Sequence, residues 1–202
     1  ALNKRLMAVH YRLLICSLAL SLLFINCINR QQDQPIESGM DNYELSPDTA
    51  HPNAQKLLTE DFYWSPIDET GPFGSDDGSD AFYGFVAWRA ENKNQSPVIY
   101  LNELIREWGY PTFNYNISDS ESIKQVLNGM NIRLVIGQDN AIIAVGFGQF
   151  VLEGEVDNDI RELTRHAIER ELSPALLNQL HTDYRDTRRA QLDKMLLVVD
   201  KM

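Results

Sequence analysis

The stretch Asn131–Gly154, NIRLVIGQDNAIIAVGFGQFVLEG, decides the fold, because its apolar residues fit two different structures. In the first, the apolar residues alternate in Asn131–Gly137, which favours a strand. Asp139-Asn140 then forms a hairpin turn that leads into a second strand, Ala141–Phe147. A lone strand needs a partner, so this alternative requires the complete hairpin.

In the second structure the same stretch contains a buried helix, Asn140–Glu153, with Asp139 as its N-cap and Gly154 as its end. The length of the apolar run and the glycine ending favour this helix over the hairpin. Gly146 and Gly148 lack the third glycine of a dinucleotide-binding loop, so they indicate close helix packing.

Helical spacing and cap-plus-proline signals predict further helices on both sides of this stretch. The expected helices cover roughly residues 51–58, 75–91, 97–108, 119–127, 158–172 and 183–199. Five or more helices and at most one small β-hairpin give a mainly α fold, with α+β as the alternative. We therefore expect one compact helical domain over residues 51–202.

The first 27 residues have the layout of an export signal. Lys4, Arg5 and Arg12 precede Leu13–Ile25, which contains no charged residue. This uncharged stretch of 13 residues has a length that suits a signal sequence, whereas a membrane-spanning helix needs about 20 apolar residues. The protein is therefore expected to be exported.

The segment LFINC that ends at Cys27 resembles the lipobox of bacterial lipoproteins. In that family the cysteine is acylated and becomes the mature N-terminus, although Asn26 stands here in place of the usual small residue. The resemblance implies lipidation at Cys27 and a location in the cell envelope. Because the rest of the chain is acidic and anionic lipids repel it, we expect membrane contact through the lipid anchor only. The polar residues 28–50 predict a disordered tether.

The charge is strongly negative, with 18 basic and 29 acidic residues and a net charge of −11. The three basic residues of the export signal leave −14 for the rest of the chain. Such a surface repels phosphate backbones, which argues against nucleic-acid binding. It suits a protein partner with a basic face, and the alternative explanation is solubility.

The segment His51–Arg89, with Asp183–Arg185 and Gln191–Met195, resembles the YfeS-like family of uncharacterised bacterial proteins. Gly71–Phe82, GPFGSDDGSDAF, is also similar to the DUF4259 group. Neither family has an established activity, so the resemblance implies no catalytic residue. Both are associated with cytosolic proteins, from which the export signal is a departure.

A dense group of acidic and aromatic residues forms a candidate binding loop. Its members are Asp68, Glu69, Phe73, Asp76, Asp77 and Asp80. Their spacing is not that of an EF-hand, and Ser75, Asp76 and Asp77 are natural N-caps of the helix that follows. We therefore predict no metal and no cofactor.

The preferred functional hypothesis is a non-catalytic protein-binding module, one form of which is an immunity protein that masks a basic toxin. The alternative is a hydrolase whose site is assembled from distant residues such as Asp77, Asp80 and His166. The sequence has no GxSxG motif and no closely spaced histidine pair, so an enzyme is the less favoured interpretation.

Overall fold

The computed structural model describes residues 43–202, and this part of the chain contains eight α-helices, two short 3₁₀ turns and no strand. The mainly α prediction is thus confirmed. The helices are α1 (Pro52–Leu57), α2 (Asp76–Glu91), α3 (Pro97–Glu107), α4 (Ser120–Gly129), α5 (Ile132–Glu153), α6 (Asn158–Leu172), α7 (Pro174–Leu177) and α8 (Thr182–Val199).

Helix α5 forms the centre of the domain and packs chiefly against α2 and α6. It begins after Asn131, whose side chain accepts a hydrogen bond from the backbone N–H of Arg133, and it ends at Gly154 in the left-handed conformation (φ 74°). The prediction of a buried helix that ends at Glu153 is therefore confirmed, but the observed helix starts eight residues before the predicted one, at Ile132. The hairpin alternative is wrong. Asp139 is not a cap, because it lies in the middle of the helix and is buried.

Helix α5 is long and apolar enough to cross a membrane, with a mean hydropathy of 1.3 over 18 residues. However, 89% of that window is buried inside the protein. An apolar helix that is covered on all sides by other helices is typical of a domain core.

The two glycines of α5 allow close helix packing, as the sequence predicts. A Cβ atom on Gly146 would lie 2.0 Å from Oγ1 of Thr164 on α6. A Cβ atom on Gly148 would lie 3.0 Å from the ring of Phe82 on α2. Both neighbouring helices thus contact the α5 backbone where it carries no side chain.

The aromatic segment before α2 packs into the core. Phe62, Tyr63 and Phe73 are buried, and the ring centroids of Phe73 and Phe82 are 4.4 Å apart. Phe73 was predicted to belong to the candidate binding loop. Its burial corrects that assignment, since a ring held under α2 cannot contact a partner.

The packed chain begins before His51, the predicted start of the domain. Leu45 and Ala50 are buried in the core, and the ring of Tyr43 contacts the ring of Phe82 edge-on at 5.7 Å. Residues 43–50 therefore pack as part of the domain and not as the end of a tether. The export signal, Cys27 and residues 28–42 lie outside the described residues.

Candidate functional site

A pocket of about 210 Å³ opens where the loop before α2 meets α5 and α8. It combines three carboxylates with a guanidinium and several neutral side chains. The lining residues are Glu69, Ser75, Asp76, Asp77, Arg133, Ile136, Asn140 and Tyr184. We call this site the acidic pocket.

The acidic pocket brings together Glu69, Asp76 and Asp77 of the candidate binding loop. Asp68 lies nearby but accepts hydrogen bonds from Thr70 and Gln191. Burial raises the pKa of Asp68, but these hydrogen bonds outweigh it, and the pKa lies below its usual value. The carboxylate of Asp68 therefore helps to hold the loop together.

The start of α2 forms one wall of the pocket. The Ser75 side chain caps the helix by accepting a hydrogen bond from the backbone N–H of Gly78 at 3.1 Å. Asp76 and Asp77 follow in the first turn, where negative charge is favoured by the helix dipole. Of the three residues that the sequence offers as N-caps, Ser75 is therefore the one that caps the helix. Asp76 and Asp77 lie in the first turn and do not cap it.

Asp77 is the buried carboxylate of the pocket, with only 8% of its side chain exposed. Its Oδ2 accepts a hydrogen bond from Nη1 of Arg133 at 2.5 Å, and its Oδ1 accepts one from the Tyr110 hydroxyl at 3.0 Å. Burial and the hydrogen bond to Asp77 both raise the pKa of Tyr110. The hydrogen bond to Asp77 likewise raises the pKa of Arg133 above its ordinary value.

A buried ion pair between Arg188 and Glu171 lies next to Asn140, one of the residues that line the pocket. The Arg188 guanidinium donates to both carboxylate oxygens of Glu171, at 2.9 and 2.5 Å, and to Oδ1 of Asn140 at 2.8 Å. It also donates to the backbone carbonyls of Thr70 and Gly71. Arg188 therefore ties the loop before α2 to α5 and α6, and the first two of these elements carry residues that line the pocket.

A second buried pair lies further along α5. The Arg170 guanidinium donates to Asp139 through both Nε and Nη2, and to the carbonyls of Tyr115 and Ile117 through Nη1. Burial raises the pKa of Asp139, although the charge of Arg170 opposes this shift. The pair holds the extended segment between α3 and α4 against the core.

Sequence reasoning missed both buried pairs. One signal was available for Arg188, which lies in phase with the apolar stripe of α8 between Tyr184 and Leu192. Another was Asp139, a charged residue in the middle of an otherwise apolar helix. A charge in an apolar stripe is rarely buried without a partner, so such positions predict buried ion pairs.

The three residues of the hydrolase alternative do not share this pocket. Asp77 lines it, whereas neither Asp80 nor His166 does among the described residues. Within residues 43–202, Nδ1 of His166 is buried without a hydrogen-bond partner. The same part of the chain contains no group of three or more His, Cys, Asp or Glu side chains placed to hold a metal ion.

Comparison with curated proteins finds a relative of this chain. The chain is 26% identical over 148 residues to the uncharacterised protein YfeS of Escherichia coli (strain K12). The match supports the YfeS-like resemblance. It covers 69% of this chain and 60% of YfeS, so the chain spans less than two thirds of its relative.

Other comparisons found no match. No protein-family model matches the chain, and no solved structure matches it. The similarity to the DUF4259 group therefore stays a prediction. YfeS is itself uncharacterised, so the match assigns no activity to the residues of the acidic pocket.

Proposed function

We propose that this protein is a non-catalytic binding protein that engages the basic face of another protein through the acidic pocket. The observation that carries the proposal is the convergence of Glu69, Asp76 and Asp77 on one pocket that contains a single guanidinium, that of Arg133. A partner with a basic surface would neutralise the excess negative charge at this site.

The surroundings of the pocket suit a protein partner. Glu69 and Asp76 are exposed, so their charges are available to steer an approaching basic surface. Ile67, two residues before Glu69 on the same loop, is 85% exposed and offers apolar area to a partner. An apolar contact next to complementary charges is typical of protein interfaces.

The proposal includes the location that the sequence predicts. An export signal and an acylated Cys27 would place the domain in the cell envelope, held by a lipid anchor. An immunity-type protein that masks an incoming basic toxin is one form of this function. The net charge of −14 after residue 27 supports it, because toxin association would be accelerated by opposite charge.

The test is partner capture followed by kinetics. The full chain, purified in mild detergent and immobilised, is incubated with envelope and secreted-toxin fractions, and the association rate of the captured protein is measured in increasing salt. We expect the rate to fall as the Debye length shrinks from about 10 Å at 0.1 M to about 3 Å at 1 M salt.

A matched pair of double variants locates the contact. Glu69→Gln with Asp76→Asn removes two charges from the pocket, and Asp80→Asn with Glu91→Gln removes two exposed charges outside its lining. The first pair is expected to slow association and weaken binding much more than the second. Equal effects, no partner, or an association rate that ignores salt would refute the proposal and leave the acidity as an aid to solubility.

A further inference from the structure

We propose that the acidic pocket is a receptor for one arginine side chain of the partner, which displaces Arg133 from the buried carboxylate of Asp77. This inference rests on the proposed function, since it names the group of the partner that enters the site. In the free protein Arg133 occupies the position that the incoming guanidinium takes.

The two members of the Asp77–Arg133 pair differ sharply in burial. The Asp77 side chain is 8% exposed, whereas that of Arg133 is 57% exposed. Asp77 is held by the Tyr110 hydroxyl and by its position in the first turn of α2. Arg133 is a long side chain near the start of α5, and holding it in one rotamer costs entropy. The carboxylate is therefore fixed, and its cation is the exchangeable member.

Gly137 shapes the slot in which the guanidinium lies. A Cβ atom on Gly137 would be 2.7 Å from Nη1 of Arg133 and 3.0 Å from Oδ2 of Asp77. The guanidinium thus rests against helix backbone that has no side chain. A planar cation fits such a narrow slot better than the rounder ammonium of lysine does.

The rest of the pocket matches the other donors of an arginine. Glu69 and Asp76 are exposed carboxylates of the lining that can accept from the N–H groups that do not reach Asp77, and the five donors of a guanidinium suit several separate acceptors. Tyr184 also lines the pocket, and its hydroxyl donates a hydrogen bond to the backbone carbonyl of Glu69.

The size of the pocket also favours a single side chain. Its volume of about 210 Å³ lies below the range of about 300–1,000 Å³ that is typical of sites for drug-sized ligands. The three carboxylates of the pocket carry more negative charge than the single guanidinium of Arg133 neutralises. The site therefore keeps negative charge that attracts an incoming cation.

The experiment measures binding of Nα-acetyl-arginine amide to the full chain in mild detergent, with Nα-acetyl-lysine amide as the matched probe. In Arg133→Gln the competing guanidinium is gone, and we expect the affinity for the arginine probe to rise roughly fivefold. Arg165→Gln is the control, because it changes the net charge equally but removes a surface pair, with Asp200, outside the pocket lining.

Two further variants test the slot itself. Adding Asp77→Asn to Arg133→Gln is expected to abolish binding of the arginine probe, because the buried carboxylate is lost. Adding Gly137→Ala to Arg133→Gln is also expected to abolish it, because the new methyl group fills the slot. Alanine is a strong helix former, so this second variant keeps the test valid even where Asp77→Asn fails to fold.

The outcomes separate the two proposals. No arginine binding by Arg133→Gln, an equal gain in Arg165→Gln, or equal affinity for the lysine probe would overturn this inference. If the arginine site were overturned in this way but a basic protein partner still bound with the expected salt dependence, the protein-binding proposal would remain supported. Arginine binding without any protein partner would support the guanidinium site and refute the protein-binding function.

Discussion

Replacing Gly146 with alanine tests whether α5 and α6 are in direct backbone contact. The new Cβ atom would lie 2.0 Å from Oγ1 and 3.1 Å from Cβ of Thr164, whereas ordinary contacts begin at 3.4 Å. Thr164 is fully buried, and its hydroxyl donates to the carbonyl of Ile160 at 2.8 Å, so it has little room to move.

The expected magnitude combines two opposing effects. Inserting a methyl group into a packed core costs about 1–3 kcal/mol, and so short a contact places this variant near the upper end. Replacing glycine with alanine within a helix stabilises the helix by about 1 kcal/mol. We therefore expect Gly146→Ala to lower the free energy of unfolding by about 2 kcal/mol.

Urea unfolding followed by circular dichroism measures this change, with Gly129→Ala as the matched control. Gly129 is the last residue of α4, and a Cβ atom there meets nothing within 4 Å. This control should be neutral or stabilising by up to about 1 kcal/mol. The m-values should agree with that of the wild type, since neither variant changes the surface exposed on unfolding.

A double-mutant cycle identifies the contact responsible. Thr164→Ala removes both Oγ1 and the Cγ2 methyl, which a Cβ atom on Gly146 would meet at 2.0 and 3.2 Å, and leaves only the 3.1 Å contact with Cβ of residue 164. The loss of stability caused by Gly146→Ala should therefore shrink in that background. If Gly146→Ala stabilised the protein as Gly129→Ala does, or lowered the stability equally with threonine and with alanine at position 164, α5 and α6 would not be in close backbone contact there.

Three further predictions concern charge and processing. Arg170→Met should lower the free energy of unfolding by about 3–5 kcal/mol, because it leaves the buried carboxylate of Asp139 unpaired. Lys194→Met breaks the exposed pair with Glu60 and should lower it by less than about 1 kcal/mol in the same urea assay. Burial raises the pKa of Glu153, but the hydrogen bonds from Arg89 and Gln149 and the charge of Arg89 together outweigh it, and the pKa is lowered. Ionised Glu153 therefore stabilises the fold above its unfolded pKa. Glu153→Gln should therefore be less stable than the wild type near about pH 7, and the difference should shrink as the pH falls below about 4, the usual pKa of a glutamate; a difference independent of pH would contradict this. Growth with labelled palmitate should label the wild-type protein and not Cys27→Ser, and an unlabelled wild type would exclude lipidation.

The positions of the helices followed from local signals. Serine caps, proline in the first turn and glycine endings mark helix boundaries through hydrogen bonds between neighbouring residues, and Asn158–Leu172 is found as predicted. The start of α5 was missed because Asn131, its true cap, precedes apolar residues that also alternate as in a strand.

The candidate site was only partly predictable. The sequence shows that acidic residues crowd the segment before α2, and it indicates which of them can cap a helix. Which ones share a pocket depends on the approach of α5 and α8, whose residues lie far away in the chain: Arg133 is 56 positions from Asp77, and Arg188 is 48 from Asn140.

Periodicity and capping act within a few residues, so they were sufficient to establish a helical domain around one apolar helix. Burial is a property of the assembled helices, and it alone decided that Arg170 and Arg188 form ion pairs inside the core. It also decided that Asp77 is enclosed while its partner Arg133 stays in water. The physical reason is that desolvation depends on every neighbour that excludes water, and those neighbours come from distant parts of the chain.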